Sequence, residues 1–286
     1  MTLFTQTLTA EQEARVAQVG FDYRSRSKNE VKACNLCDSA VWTKLADHDR
    51  YYHETDAYMC RSCGNVFITP VMIEEEYHEF YTRYYRPLVS AYHGRRIDAI
   101  TLQDDQRPYA DDLADLLRFQ TRAGFEPRSI LDVGGSTGIT LKRLEKEFQR
   151  PPRLLCLDPA VNELHEARKL GVEVIDGFVE THNFGSARFD LVLMCQTIDH
   201  LVDIKRSLTK IHSILSTDGV LFVDVVDFRK VYLNTGSVEG AIKLDHCYYL
   251  TDLVTEAYLE VVGFDIIRKG IARDKVHINY ICKKTQ

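Results

Sequence analysis

From Arg128 onward, short apolar runs alternate with amphipathic stretches: SILDVG, LLCLD, VEVID, FDLVLMC and GVLFVDVV, spread over residues 129–226. Strands separated by helical stretches need crossover connections, and these build a parallel sheet covered by helices. The tail changes character. FDIIRKGIARD (264–274) and HINYICKK (277–284) read as two strands joined by a short turn, an antiparallel addition at the C-terminal edge. The expected fold class is therefore α/β, with a mostly parallel sheet.

The first apolar run stops in a glycine cluster, SILDVGGSTGIT (129–140), and a helix-like stretch follows. Such a turn places a ligand at the carboxyl edge of the sheet, near a helix N-terminus. A dinucleotide fingerprint, G-x-G-x-x-G counted from Gly134, needs glycine at 136 and 139, where the chain has Ser136 and Ile139. The phosphate-loop G-K-[ST] is absent. Instead Asp132 stands two residues before Gly134. A carboxylate there repels a pyrophosphate and suits a cation, or a ligand rich in hydroxyl and amine donors. The second run ends LLCLDP, with Asp158 at its tip, where a carboxylate accepts hydrogen bonds from two ribose hydroxyls. An amino acid joined to a nucleoside meets both demands, and S-adenosylmethionine is such a molecule.

On these residues the chain resembles the class I S-adenosylmethionine-dependent methyltransferases, with a Rossmann-like sheet. ILDVGGSTG, CLDP, IDGFVE, FDLVLMCQTIDHLVD and GVLFVDVVDF stand in the family's order and spacing over residues 126–286. In that family glycine usually stands where this chain has Ser136. The resemblance implies that Gly134, Gly135 and Gly138 admit the methionine part and the ribose, and that Asp132 holds the amino-acid end. It implies that Asp158 takes the ribose diol. Phe178 and Val179 would contact adenine, and Cys195 and Gln196 would line the methyl-donor pocket.

CNLC (34–37) and CRSC (60–63) form a CxxC…CxxC pattern. Each pair sits on a knuckle, and Cys34, Cys37, Cys60 and Cys63 together are expected to hold one tetrahedral zinc in a closed, structural site. A module of some 40 residues has too little core to stand without such a staple. Cys156, Cys195, Cys247 and Cys282 lack such spacing and read as core or pocket thiols.

A four-cysteine module, then YHEFYTRYYRP, then this core resembles bacterial methyltransferases of sugars and surface polysaccharides. The long C-terminal domain of the sugar C-methyltransferases is not expected here, which favours glycan or small-molecule O-methyltransferases. Three segments are expected: residues 1–70 with the zinc module, 71–125 as a helical lid, and 126–286 as the methyltransferase domain. Residues 74–86 carry Tyr77, Phe80, Tyr81, Tyr84 and Tyr85 at helical spacing, with Pro87 ending that helix. A second helix over 95–121 is interrupted at Pro108. Residues 228–247 read as a loop over the site, offering Arg229, Lys230 and Lys243 to an anionic acceptor.

Transfer to a hydroxyl needs a proton acceptor, and histidine suits neutral pH. Two candidates fall where the family builds its acceptor site. TIDHLVD holds Asp199 and His200, and KLDHCYYLT holds Asp245 and His246. His246 is the first choice as base, with His200 and Asp199 beside it. Tyr248 and Tyr249, and likewise Tyr84, Tyr85 and Arg86, are candidates to stack on an acceptor.

Charge narrows the partners. The formal net charge is -6, and between Cys34 and Cys63 five acids face three bases, so nucleic acid is not an expected partner. No apolar stretch approaches the roughly 20 residues of a membrane span. MTLFTQTLTAEQEARV lacks the pattern of a leader peptide, and the expected location is cytoplasmic. The expected protein is an S-adenosylmethionine-dependent methyltransferase (EC 2.1.1.-) of a sugar, nucleotide-sugar or surface glycan. The alternatives are a natural-product or RNA acceptor, or a non-catalytic binding protein that keeps the cofactor fold.

Overall fold

The computed structural model describes residues 8–122 and 124–285. Residues 1–7, part of the stretch read for a leader peptide, lie outside them. The N-terminal part opens with α1 (Ala10–Gln18), started by a capping box between Thr9 and Gln12. Five short strands follow: β1 (Lys28–Asn29), β2 (Trp42–Ala46), β3 (Asp56–Cys60), β4 (Val66–Thr69) and β5 (Val71–Met72). A cysteine knuckle precedes β2 and another joins β3 to β4. Each closes with a backbone bond, Asp38 N–H to Cys34 O and Gly64 N–H to Cys60 O, both 2.9 Å.

The aromatic helix does not end at Pro87. It runs as α2 (Glu74–Glu79), a π-helical turn (Phe80–Tyr84) and α3 (Tyr85–His93). In the π turn the ladder has already slipped, with Tyr85 N–H bonding to Phe80 O, so the donor that Pro87 lacks falls where the regular spacing is relaxed. α4 (Thr101–Arg122) likewise continues through Pro108. A proline deletes one rung of the ladder, and the rungs on either side carry this helix.

The remainder is β6 (Ser129–Val133), α5 (Ile139–Leu144), β7 (Arg153–Asp158), α6 (Val161–Lys169), β8 (Glu173–Asp176), β9 (Phe189–Met194), α7 (Ile204–Ile214) and β10 (Leu215–Val226), then α8 (Phe228–Thr235), α9 (Val238–Ala241), β11 (Tyr248–Tyr249), α10 (Asp252–Val262), β12 (Phe264–Ile271) and β13 (His277–Lys284). The expected loop over 228–247 thus contains two helices. Asp227 caps one by accepting from Arg229 N–H, and Ser237 caps the other by accepting from Gly240 N–H.

The main sheet has seven strands in the order β12-β13-β10-β9-β6-β7-β8, with β13 antiparallel to both neighbours and the rest of the pairings parallel. Period-two alternation divides its side chains. Leu131, Leu155, Val192 and Leu221 pack on one face with Leu208 and Tyr258, while Ile130, Leu154, Leu191 and Phe222 pack on the other with Leu113 and Leu164. The chain order reverses between β6 and β9, which opens a crevice at the end of β6.

β11 lies on the N-terminal sheet rather than the large one, pairing Tyr248 with Phe67 and Tyr249 with Val66. That sheet runs β11-β4-β3-β2. The segment after β10 therefore completes the cysteine module, and one core runs from Cys34 through Tyr77 to Tyr280.

Candidate functional site

A cavity of about 350 Å³ occupies the crevice. The turn after β6 forms its floor. Gly134 has φ 73°, and its N–H donates to Leu157 O at 2.7 Å. A Cβ there would come within 2.4 Å of Thr197 Oγ1. Ser136 is also left-handed, at φ 50°, and its N–H donates to Asp158 Oδ2 at 2.9 Å. The conformation is one that glycine adopts freely, so serine holds a strained position there. Gly135 lines the cavity, whereas Gly138 does not. A Cβ on Gly138 would meet Ala167 at 3.1 Å, so its place is in helix packing.

Asp132 is buried, and neither carboxylate oxygen has a partner. Burial, then the charges of Asp158 and Asp224, push its carboxyl well above the ordinary range. Two orphaned oxygens in a cavity wall are a standing demand for a cation or a donor. Asp158 is better satisfied, accepting from Ser136 N–H and from Ala160 N–H at 2.7 Å. Burial still raises it, to about 6. Each of its oxygens keeps a lone pair for a hydroxyl. Phe178, Val179, Cys195 and Gln196 also line the cavity. This donor set fits a ligand with an ammonium group at one end and a diol further along.

Sequence reasoning missed part of this wall. Gln106 and Tyr109 reach the cavity from α4, and Tyr109 OH donates to Asp224 Oδ2 at 2.8 Å. Asp224 also accepts from Gln196 N–H. The signal for Asp224 was an acid inside the apolar run GVLFVDVV. Nothing in α4 marked its two residues.

At the other end of the cavity the two Asp–His pairs meet, exchanged. His246 Nδ1 lies 2.7 Å from Asp199 Oδ2, and its Nε2 lies 3.4 Å from Asp245 Oδ2. His200 Nδ1 lies 3.8 Å from Asp245 Oδ2. The two imidazoles are 4.1 Å apart. Burial would raise the Asp199 carboxyl, but His246 outweighs it and holds it well below the ordinary range. Burial, then His246, pulls His200 down to about 4. Tyr81, which no sequence signal singled out from its aromatic neighbours, sits in the π turn with its hydroxyl 2.9 Å from His200 Nδ1, and it donates to Asp245 O at 3.1 Å. Asp199, His200 and His246 place one donor atom each within 4.8 Å of one another, which is close enough for a metal ion. The cluster already has a counter-cation, because Lys243 lines the same cavity and lowers both Asp245 and Asp199.

Tyr85 and Arg86 line the cavity, and Arg86 is held by buried Glu163 at 2.7 Å. Tyr84 instead lies under the Arg26 guanidinium, outside the lining. Tyr248 and Tyr249, expected to stack on an acceptor, are buried and bond to Val202 O and Lys243 O. Neither lines the cavity, and Tyr249 instead stacks behind the His246 ring, with centroids 6.0 Å apart. Arg229 pairs with Asp252, and Lys230 is outside the lining.

The four cysteines converge. Sγ atoms lie 3.6 Å apart for Cys34–Cys63 and 3.5 Å for Cys37–Cys60. All four fall within 4.8 Å of one another, close to the roughly 3.8 Å expected of thiolates on tetrahedral zinc. Burial pushes the Cys60 thiol up, but the N–H groups of Cys63 and Ser62 outweigh it and bring it to about 7. Asn65 Nδ2 lies 3.7 Å from Cys34 Sγ. The donor set fits zinc.

Comparison with known proteins bears on the same region. The family described as "Methyltransferase domain" matches residues 102–269. No curated protein matches the chain. Among solved structures, an S-adenosylmethionine-dependent methyltransferase from Clostridium acetobutylicum is 16% identical, with TM-score 0.51, over 62% of this chain and 91% of its own. The plantazolicin methyltransferase BpumL, solved with SAH and a monoazolic desmethylPZN analog, is 15% identical, with TM-score 0.53, over 66% and 89%. The mitomycin 7-O-methyltransferase MmcR is 16% identical, with TM-score 0.52, over 70% and 57%. At these identities the likeness is one of fold. Among the described residues no helix is long and apolar enough to cross a membrane.

Proposed function

The chain belongs to the methyltransferase-domain family, and we propose that it transfers a methyl group from S-adenosylmethionine to a hydroxyl of a sugar, nucleotide-sugar or surface glycan. The observation that carries the donor assignment is Asp132, a buried carboxylate with no partner, placed beside a left-handed turn that ends on Asp158.

Bound S-adenosylmethionine supplies an electrophilic methyl group that needs no further activation. The chain's own residues do the rest. Asp132 meets the ammonium of the amino-acid end. Asp158, already anchored by two backbone N–H groups, accepts from the ribose hydroxyls. Phe178 and Val179 enclose the adenine, and Cys195 and Gln196 close the wall nearer the reacting end. Tyr85 and Arg86 from the α2–α3 lid exclude water.

At the acceptor end, His246 takes the hydroxyl proton. Because the Asp199 carboxylate only accepts, a His246 proton on Nδ1 serves the 2.7 Å contact, and Nε2, which faces Asp245 Oδ2 at 3.4 Å, is the nitrogen left to take the acceptor proton. His200 stands against it as a neutral ring, fixed by Tyr81. The zinc held by Cys34, Cys37, Cys60 and Cys63 is structural, since four thiolates leave no open position.

Isothermal titration with S-adenosylmethionine and S-adenosylhomocysteine tests the donor site. Asp158→Ala should weaken both by at least roughly tenfold, because a single hydrogen bond to a charged group contributes about 1.5–3 kcal/mol. Unchanged affinity would refute the ribose assignment, and no binding by the intact protein would favour a binding protein without catalysis. A panel of sugar, nucleotide-sugar and natural-product hydroxyls, followed by methyl transfer, tests the acceptor class.

A further inference from the structure

Two residues of the cysteine module reach into the two loops that carry the Asp–His pairs. Asn35 lies inside the first knuckle, between Cys34 and Cys37. Its Nδ2 donates to Asp203 Oδ1 at 2.8 Å, and its Oδ1 accepts from Lys205 N–H at 3.2 Å. Asp203 is the N-cap of α7, accepting from Arg206 N–H at 3.0 Å. The segment that Asn35 grips is therefore the end of the β9–α7 loop, which bears Asp199 and His200.

Asp49 serves the other loop. It is fully buried, and its Oδ2 accepts from Leu244 N–H at 3.0 Å. Its Oδ1 accepts from Tyr51 N–H at 3.0 Å and His53 N–H at 2.9 Å, which fixes the carboxylate from its own side. Arg50 adds two contacts to the same loop, from its N–H to Ile242 O at 2.9 Å and from its guanidinium to Gly240 O at 2.8 Å. Leu244 immediately precedes Asp245 and His246.

We infer that Asn35 and Asp49 are positioning residues for the proton-transfer cluster. The cysteine module sets the distance between the two loops across which Asp199 meets His246. The physical reason is the crossed pairing. The 2.7 Å contact joins residues from different loops, so neither loop can hold it alone. A shift of about 1 Å in either loop breaks a contact of that length. Asn35 and Asp49 fasten both loops to one rigid unit, whose own geometry rests on the thiolate cluster. The inference rests on reading the Asp–His cluster as the acceptor end, and its test needs no acceptor.

The test uses the full-length, zinc-loaded protein with Asn35→Ala and Asp49→Asn. Four quantities are read: zinc content, S-adenosylhomocysteine affinity, amide hydrogen exchange at Lys205 and Leu244, and the downfield imidazole N–H resonance of His246. Asn35→Ala should speed exchange at Lys205 by at least roughly tenfold and leave Leu244 unchanged, and Asp49→Asn should do the reverse. Either variant should shift or abolish the His246 resonance, with zinc and S-adenosylhomocysteine binding retained. Should Asn35→Ala fold poorly, Asp203→Ser breaks the same contact from the α7 side while keeping a cap. An unchanged resonance in all variants would overturn the inference, as would exchange that rises equally at both amides. Failure of the intact protein to bind S-adenosylhomocysteine would instead strike the proposed function and leave these contacts standing.

Discussion

His246 is paired with Asp199 of another loop, at 2.7 Å, more closely than with its chain neighbour Asp245, whose carboxylate stands 3.4 Å from the other ring nitrogen. The imidazole thus lies between two buried carboxylates, with one nitrogen committed to orientation. The predictions below follow from this cluster, from Asp132 and from the cysteines.

Asp199→Asn should leave the fold and S-adenosylhomocysteine affinity within about twofold of the parent, while turnover falls by roughly 10²–10⁴. The amide removes the charge and lets His246 take the other tautomer. His246→Asn should fall by a similar factor. Steady-state rates on an accepted hydroxyl acceptor, alongside calorimetry, check both. Full activity in His246→Asn would move the base elsewhere.

Donor binding should release a proton. Asp132 is pushed up by burial and by nearby carboxylates, which favours its protonated form more than in a free carboxyl. An ammonium placed against it favours the ionised form, and the proton leaves as the ligand arrives. Affinity should therefore rise with pH below the range where an α-amino group itself titrates. Calorimetry in buffers of different ionisation enthalpy measures the release, and Asp132→Asn should abolish it.

His200 should make the folded state less stable as pH falls, against the opposite contribution of Asp158 and Asp224, which burial raises to about 6. His200 titrates near 4 when folded, against an ordinary value of about 6.5. Between those values the unfolded chain takes up a proton that the folded chain refuses. The contribution of His200 is fully present above pH 6.5 and is lost as pH falls toward 4, by on the order of 1–3 kcal/mol. Urea titrations across that window measure the slope, and His200→Gln should flatten it.

Metal analysis should find about one zinc per chain. Chelation, or Cys37→Ser, should lower the apparent melting temperature and loosen the β2–β4 sheet first, because the ligands' binding energy is part of that sheet's folding energy. Hydrogen exchange resolved along the chain distinguishes this from uniform destabilisation.

Much of the donor half was legible. Asp132, Gly134 and Asp158 are local features, each standing at the end of an apolar run, and the parallel sheet brings the ends of its strands to one edge. The four cysteines were legible because each knuckle places two thiolates by turn geometry alone. Helix continuity was harder to read. Pro87 and Pro108 are strong local breakers, yet a π turn absorbs one and the length of α4 carries the other. Tyr248 and Tyr249 show the opposite failure. Their polar tips suggested a ligand, but both rings are buried and their hydroxyls are taken by Val202 O and Lys243 O.

By itself, the order of residues determined the α/β sheet, the glycine turn with its flanking acids, and the closed thiolate cluster, because each arises from neighbours within one strand, turn or knuckle. The tertiary structure alone decided which aspartate meets which histidine, that Tyr81, Gln106 and Tyr109 join the cavity with Asp224 bonded behind them, and that the cysteine module grips both loops of the Asp–His cluster. Those facts are contacts between segments far apart in the chain. Their geometry exists only after the two sheets have been fastened together through β11 and β4.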